Sequence, residues 1–110
     1  MLIARQLDPA EWVGNRRPLA VLPWEPEDIP LNFDQVYDDL DYLKIAVIET
    51  RDGRSFGLIR YQHSPTQGVE VFVHANEQEM PDALGSLLVA LEIGRDSLRW
   101  VSPLAEVGKG

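Results

Sequence analysis

Residues 43–74 read LKIAVIETRDGRSFGLIRYQHSPTQGVEVFVH, and this stretch decides the fold. Its first part, Leu43–Thr50, is rich in β-branched residues and apolar on both alternating faces, which is typical of a central strand. The pair Asp52-Gly53 predicts a hairpin turn, because glycine adopts a positive φ without steric cost. Residues 55–61 and 69–74 have the same alternating or apolar character. The stretch therefore predicts a three-stranded antiparallel meander.

Downstream of the meander, the spacing of four leucines predicts a helix over residues 81–93. They stand at i, i+3, i+4 and i+7, which places them on one side of a helix that packs against the sheet. Pro81 suits the first helical position, and Gly94 is a natural helix end. The segment Ser97–Ser102 predicts a fourth, short strand. The four leucines are Leu84, Leu87, Leu88 and Leu91.

Upstream of the meander, five prolines interrupt residues 1–31. Proline removes a backbone donor and biases the preceding residue toward extended conformations. We therefore predict an extended, proline-rich segment over residues 1–31. A short helix is predicted over residues 33–41, because Phe33, Val36, Tyr37 and Leu40 again show helical spacing.

These elements together predict a single α+β domain over residues 1–110. Its three- to four-stranded, mainly antiparallel sheet is built on the meander 43–74, and the 81–93 helix packs on one face. The N-terminal segment and the 33–41 helix wrap around the sheet, and residues 106–110 form a loose tail. A chain of 110 residues is close to the commonest domain size.

Composition disfavours several classes of function. The chain has no cysteine, so it has neither a disulfide framework nor a thiolate nucleophile. Its formal net charge of −8 disfavours direct binding to nucleic acid or to an anionic membrane surface, since both depend on Lys and Arg. The first residues lack a secretory signal, and no apolar stretch approaches the length of a membrane span. We expect a cytoplasmic protein.

Residues with catalytic or metal-binding chemistry show no recognised spacing. His63 and His74 do not form a zinc-binding motif, the serines lack a nucleophile-elbow sequence, and the carboxylates lack a calcium loop. We therefore expect no catalytic residue, no metal site and no cofactor. A small enzyme or ligand-binding domain that uses His63 and His74 remains an alternative, and it requires both histidines in one pocket.

An acidic block over residues 25–41 holds seven carboxylates and no Lys or Arg. Such a one-signed surface favours solubility or steering toward a basic partner. We expect a non-enzymatic interaction domain, of inhibitor or immunity type, that docks on a basic partner protein. Asp34, Asp38 and Asp41 are predicted to share one flank of the 33–41 helix. The predicted partner-binding residues are Trp24, Glu25, Glu27, Asp28, Asp34, Tyr37, Asp38 and Asp41.

The acidic block is also compatible with two simpler roles. It is an ordinary solvated surface if no partner binds it. In the second role, the protein associates through its sheet and the acids only keep it soluble. It is then a homo-oligomeric accessory subunit, with a homodimer as its simplest form.

Overall fold

The computed structural model describes residues 1–12, 14–38 and 41–106, apart from the side chains of Asp38 and Asp41. Within these residues the chain forms seven strands and one α-helix. In chain order they are β1 (Ile3–Leu7), β2 (Arg16–Val21), β3 (Asp34–Asp38), β4 (Asp41–Thr50), β5 (Ser55–Tyr61), β6 (Glu70–His74), α1 (Met80–Leu91) and β7 (Trp100–Val101). Residues 107–110 of the predicted loose tail lie outside the described residues.

The strands form one antiparallel sheet in the order β1-β4-β5-β6-β2-β7. β3 also pairs with β4, on the same edge as β1, because the ten residues of β4 accommodate both: residues 47–50 pair with β1 and residues 41–45 with β3. β1 and β3 therefore lie end to end. The α+β class is confirmed, whereas the predicted count of three to four strands is too low.

Two of the additional strands lie in the proline-rich segment of residues 1–31. β2 is an interior strand between β6 and β7, although it contains Pro18. Its ladder to β6 is irregular between Pro18 and Ala20. Prolines within sheets are tolerated at such irregularities, since a regular ladder bond is not required there. The segment thus belongs to the sheet and does not wrap around it.

The short helix predicted over residues 33–41 is wrong. Residues 34–38 form β3, and Asp41 begins β4. Leu40, the last residue of the supposed helical stripe, lies outside the described residues. The side chains of this segment are mostly Asp, Val, Tyr and Phe, which are weak helix formers, and pairing with β4 supplies hydrogen bonds that a very short helix does not keep in water.

The predicted meander and the predicted C-terminal helix are confirmed. β4, β5 and β6 pair in chain order, and α1 packs on one face of the sheet. The helix ends at Leu91 and not at Ile93, because Glu92 adopts the left-handed conformation that ends it (φ 58°). Fully buried residues of this face include Ile48, Phe56, Leu58, Val71 and Leu87.

Trp12 covers part of the opposite face of the sheet. Its ring lies over Gly57, where a Cβ atom would come within 2.6 Å of the indole. The indole N–H donates to Ser55 Oγ (3.1 Å), and the His74 ring centroid is 4.7 Å away. The smaller core of this face contains Trp12, Leu43, Ile45, Val47 and Ile59.

Candidate functional site

The structure divides the acidic block of residues 25–41 between a loop and an edge strand. Glu25, Glu27 and Asp28 lie in the loop after β2, where residues 26–28 form a short 3-10 turn. Asp34 begins β3, and Asp38 is paired with Asp41 where the β3–β4 hairpin closes. The acids of the block therefore form two groups, one in this loop and one on an edge strand that takes the place of the predicted 33–41 helix.

The carboxylate of Glu25 is committed to contacts within the protein. Its Oε1 accepts a hydrogen bond from Arg60 Nε (2.7 Å), and its Oε2 accepts one from the Gly68 N–H (2.9 Å). Partial burial raises the pKa of Glu25, but these hydrogen bonds and the positive charges of Arg60 and Arg99 lower the pKa by more. The net result is a pKa below the usual value. Glu25 therefore ties the loop to the sheet and adds little free negative charge to the surface.

Trp24 also holds this loop on the protein. Its side chain is half-buried against the core beneath α1, and its carbonyl accepts a hydrogen bond from the Val69 N–H (2.9 Å). A side chain pinned in this way has little free surface to offer a partner. Trp24 therefore anchors the loop.

Glu27 and Asp28 are both exposed. The Asp28 carboxylate accepts a hydrogen bond from the Glu25 N–H (3.3 Å). A shallow groove of about 250 Å³ beside the loop is lined by both acids and cations, among them Glu27, Lys44 and Arg60. This half of the acidic block therefore presents a mixed surface to solvent.

β3 presents the other half of the block together with exposed apolar side chains. Tyr37 is 77% exposed and Val36 is 42% exposed. Asp34 and Gln35 are exposed as well. Among the described residues, Tyr37 is the most exposed large apolar side chain. An aromatic ring so exposed on an edge strand is a candidate binding anchor.

A groove of about 480 Å³ lies next to β3, on the face of the sheet that Trp12 covers. Leu43 and Ile45 of β4 contribute its apolar floor, and the 3-10 turn of residues 9–11 forms part of its wall. Asp8 and Asp34 are its acidic lining residues, and Asp8 also caps the turn by accepting a hydrogen bond from the Ala10 N–H (3.0 Å). The groove thus combines an apolar floor with negative charge.

Arg16 is the cation among the residues that line this groove. Its guanidinium donates to the Tyr61 hydroxyl (3.0 Å) and lies 5.4 Å from the ring centroid of Phe72. These contacts hold its charge against β5 and β6. Arg16 therefore does not neutralise Asp8 or Asp34 through a direct ion pair.

The two histidines are not brought together. His74 ends β6 beside the start of β5, and its ring lies against Trp12 with the two ring planes inclined by 44°. His63 follows the other end of β5, which closes at Tyr61. The length of β5 separates them, so the shared pocket that a histidine-based site requires is not formed.

A hydroxyl cluster joins the β4–β5 turn to α1 but lacks the geometry of a catalytic serine. The Ser86 hydroxyl donates to Asp52 Oδ1 (2.8 Å), and the Thr50 hydroxyl donates to the same oxygen. The hydrogen bonds from Thr50 and Ser86 lower the pKa of Asp52, which makes it a poor general base. His74, on the opposite face, does not reach the cluster. The cluster therefore fastens the turn to the helix.

The described part of the chain contains neither a cluster of three metal-ligating side chains nor a helix that could cross a membrane. Within residues 1–12, 14–38 and 41–106, no three His, Asp or Glu side chains lie close enough together to hold a metal ion. No helix in these ranges is both long enough and apolar enough to cross a membrane.

Comparisons with known protein families, with curated proteins and with solved structures gave no match. Function is therefore inferred from the fold and the surface. The sequence points to Asp34 and Tyr37 but not to the groove residues Leu43 and Ile45, which belong to a strand that the sequence predicts to be central. A signal for the hairpin is present in the short spacer between two β-prone pairs, Val36-Tyr37 and Tyr42-Leu43.

Proposed function

We propose that this protein is a non-enzymatic interaction domain of inhibitor or immunity type, which docks on a basic partner protein. The docking surface is the β3 edge, defined here as residues 34–38, together with the adjacent groove over Leu43 and Ile45. The observation that carries the proposal is the exposure of Tyr37 and Val36 on an edge strand whose remaining residues include two aspartates.

The physical logic combines long-range attraction with a short-range anchor. The net charge of −8 and the acids of the β3 edge accelerate encounter with a basic protein, and this effect weakens with added salt. Affinity then depends on burial of a few apolar side chains, for which Tyr37 and the groove floor are suited. The loop acids Glu27 and Asp28 contribute to the field but not to the anchor.

A charge-reversal experiment tests the proposal. The variant Asp34→Lys/Asp38→Lys is compared with the control Glu79→Lys/Asp96→Lys, which makes the same change in net charge at exposed sites away from the β3 edge. Tagged proteins are used to capture partners from the native cell extract. We expect wild type and control to capture the same basic protein, and the β3 variant to bind it about tenfold more weakly or not at all. Equal capture by both variants would contradict the proposal.

A second candidate function, the homo-oligomeric accessory subunit, is favoured by a different surface. At the opposite edge of the sheet, Trp100 of β7 is 42% exposed and Leu104 is 50% exposed. A dimer through this edge buries both side chains. Light scattering decides between the two: a salt-insensitive dimer supports this candidate, and a monomer opposes it.

A further inference from the structure

We infer that the basic partner is held by strand addition, in which an extended segment of the partner pairs with the outer edge of β3. The inference rests on the proposed function and specifies how the partner is bound. Strand addition makes the sheet one strand wider and supplies main-chain hydrogen bonds in addition to charge attraction.

The hydrogen bonding of Tyr42 shows which β3 groups face outward. The Tyr42 carbonyl accepts from the Gln62 N–H (3.1 Å), so the backbone polar groups of Tyr42 point toward β5. Its partner across the hairpin, Tyr37, is therefore in a non-hydrogen-bonded pair of the β3–β4 ladder. The N–H and C=O of Tyr37 then point away from β4, and by alternation those of Gln35 do the same.

The outer edge of β3 is accessible over a short, defined length. In the described part of the chain, β3 pairs with β4 alone, and residues 34–37 are all exposed. Upstream of β3, the Gln6 side-chain amide accepts from the Asn32 N–H (2.9 Å) and donates to the Asn32 carbonyl (2.9 Å), which ties the chain before β3 to β1. The backbones of Gln35 and Tyr37 thus each offer one N–H donor and one C=O acceptor to a partner strand.

The neighbouring side chains favour a basic, partly apolar strand. On the groove side, such a strand lies next to Asp34, which favours a cation in the partner, and next to Val36, which favours an apolar residue in the partner. The groove of about 480 Å³ has room for one large apolar side chain over Leu43 and Ile45. On the other side it passes Gln35 and Tyr37, so a long aliphatic or cationic side chain can pack on the exposed ring.

Charge opposes the same pairing with a second copy of this chain. An antiparallel β3–β3 pair centred on Val36 brings position 34 of one copy opposite position 38 of the other, and both positions are aspartate. Like charges directly opposite destabilise a strand pair, and acidic residues are a common protection of edge strands. A basic strand places positive charges opposite these aspartates, so the electrostatic interaction becomes attractive. We therefore assign the edge to a basic partner.

The test uses a synthetic peptide of alternating Lys and Val and three forms of the full chain. Gln35→Pro removes an outward N–H that the ladder to β4 does not use, and Gln35→Ala keeps that N–H while it shortens the side chain. Peptide affinity is measured by titration of amide chemical shifts. We expect Gln35→Ala to bind within about twofold of wild type and Gln35→Pro to bind about tenfold more weakly.

Amide hydrogen exchange in the wild-type protein gives a measurement that does not depend on how the proline is tolerated. Strand addition predicts that the peptide slows exchange at Gln35 and Tyr37. Peptide binding that is equal in the Pro and Ala variants and leaves these two amides unprotected overturns strand addition but leaves docking by charge intact. Failure of the peptide to bind the wild-type protein at low salt overturns both strand addition and docking by charge.

Discussion

Tyr37 lies directly opposite Tyr42 in the β3–β4 ladder, with ring centroids 5.5 Å apart and ring planes inclined by 58°. Non-hydrogen-bonded pairs bring cross-strand side chains closest together, so the two rings support the hairpin. The same pairing turns the Tyr37 backbone outward. One residue thus connects the stability of the hairpin with its proposed docking edge.

Replacement of Tyr37 separates these two roles. We expect Tyr37→Ala to lower the free energy of unfolding by only about 0.5–1 kcal/mol, because the ring is largely exposed and loses one aromatic contact. Capture of the basic partner is lost, since an anchor has been removed. Urea denaturation and capture check both. Val89→Ala is the matched control, because Val89 is 67% exposed on α1, away from the hairpin. Unimpaired capture by Tyr37→Ala would count against the assigned anchor.

The contact of Trp12 with Gly57 makes the smaller core, on the face of the sheet that Trp12 covers, sensitive to a single added methyl group. We expect Gly57→Ala to destabilise the protein by about 1–3 kcal/mol, because the new Cβ overlaps the indole and displaces it. The control is Gly85→Ala in α1, where a Cβ meets nothing within 4 Å. That change is expected to stabilise by up to about 1 kcal/mol through helix propensity. Urea midpoints of both variants check the prediction, and equal midpoints would contradict it.

The Glu25–Arg60 pair gives the protein an acid-dependent component of stability. The folded protein holds the pKa of Glu25 below its usual value of about 4.5, so the stabilisation is present above that pH. It is lost as the pH falls through the lower folded pKa. The pair is partly exposed, which limits the effect to about 1 kcal/mol. We expect Glu25→Gln to be less stable at pH 7 and to show a shallower acid dependence than wild type. Parallel pH profiles of the two proteins would contradict this role of the pair.

Local pattern predicts the meander and α1 correctly, because their signals are contained within continuous segments. The turn glycine Gly53 does adopt a positive φ (90°), as its sequence context predicts. β1 and β2 are not predictable in this way. Their strand character depends on partners far along the chain, as in the pairs Ile3 with Thr50 and Arg17 with Val73. In addition, Pro18 argues against an interior strand at β2 in the sequence, because proline removes a backbone donor.

The helical spacing of residues 33–40 shows why short apolar patterns are ambiguous. Positions i, i+3 and i+4 also occur in a strand that has an apolar residue on each face, and only pairing with β4 decides between them. The candidate site is predictable as a set of residue types but not as a surface. Glu25 resembles a free acid in the sequence, because its ion pair with Arg60 joins residues 35 positions apart.

The most direct test of the docking surface is a map of amide hydrogen exchange, measured with and without the alternating Lys/Val peptide at low salt. Strand addition on the β3 edge predicts rapid exchange at Gln35 and Tyr37 in the free protein and slowed exchange at both in the complex, with Val89 and Asp96 unchanged. Protection confined to the loop of residues 25–28 would contradict the assignment of the β3 edge as the docking surface, and no protection at any position would contradict strand addition.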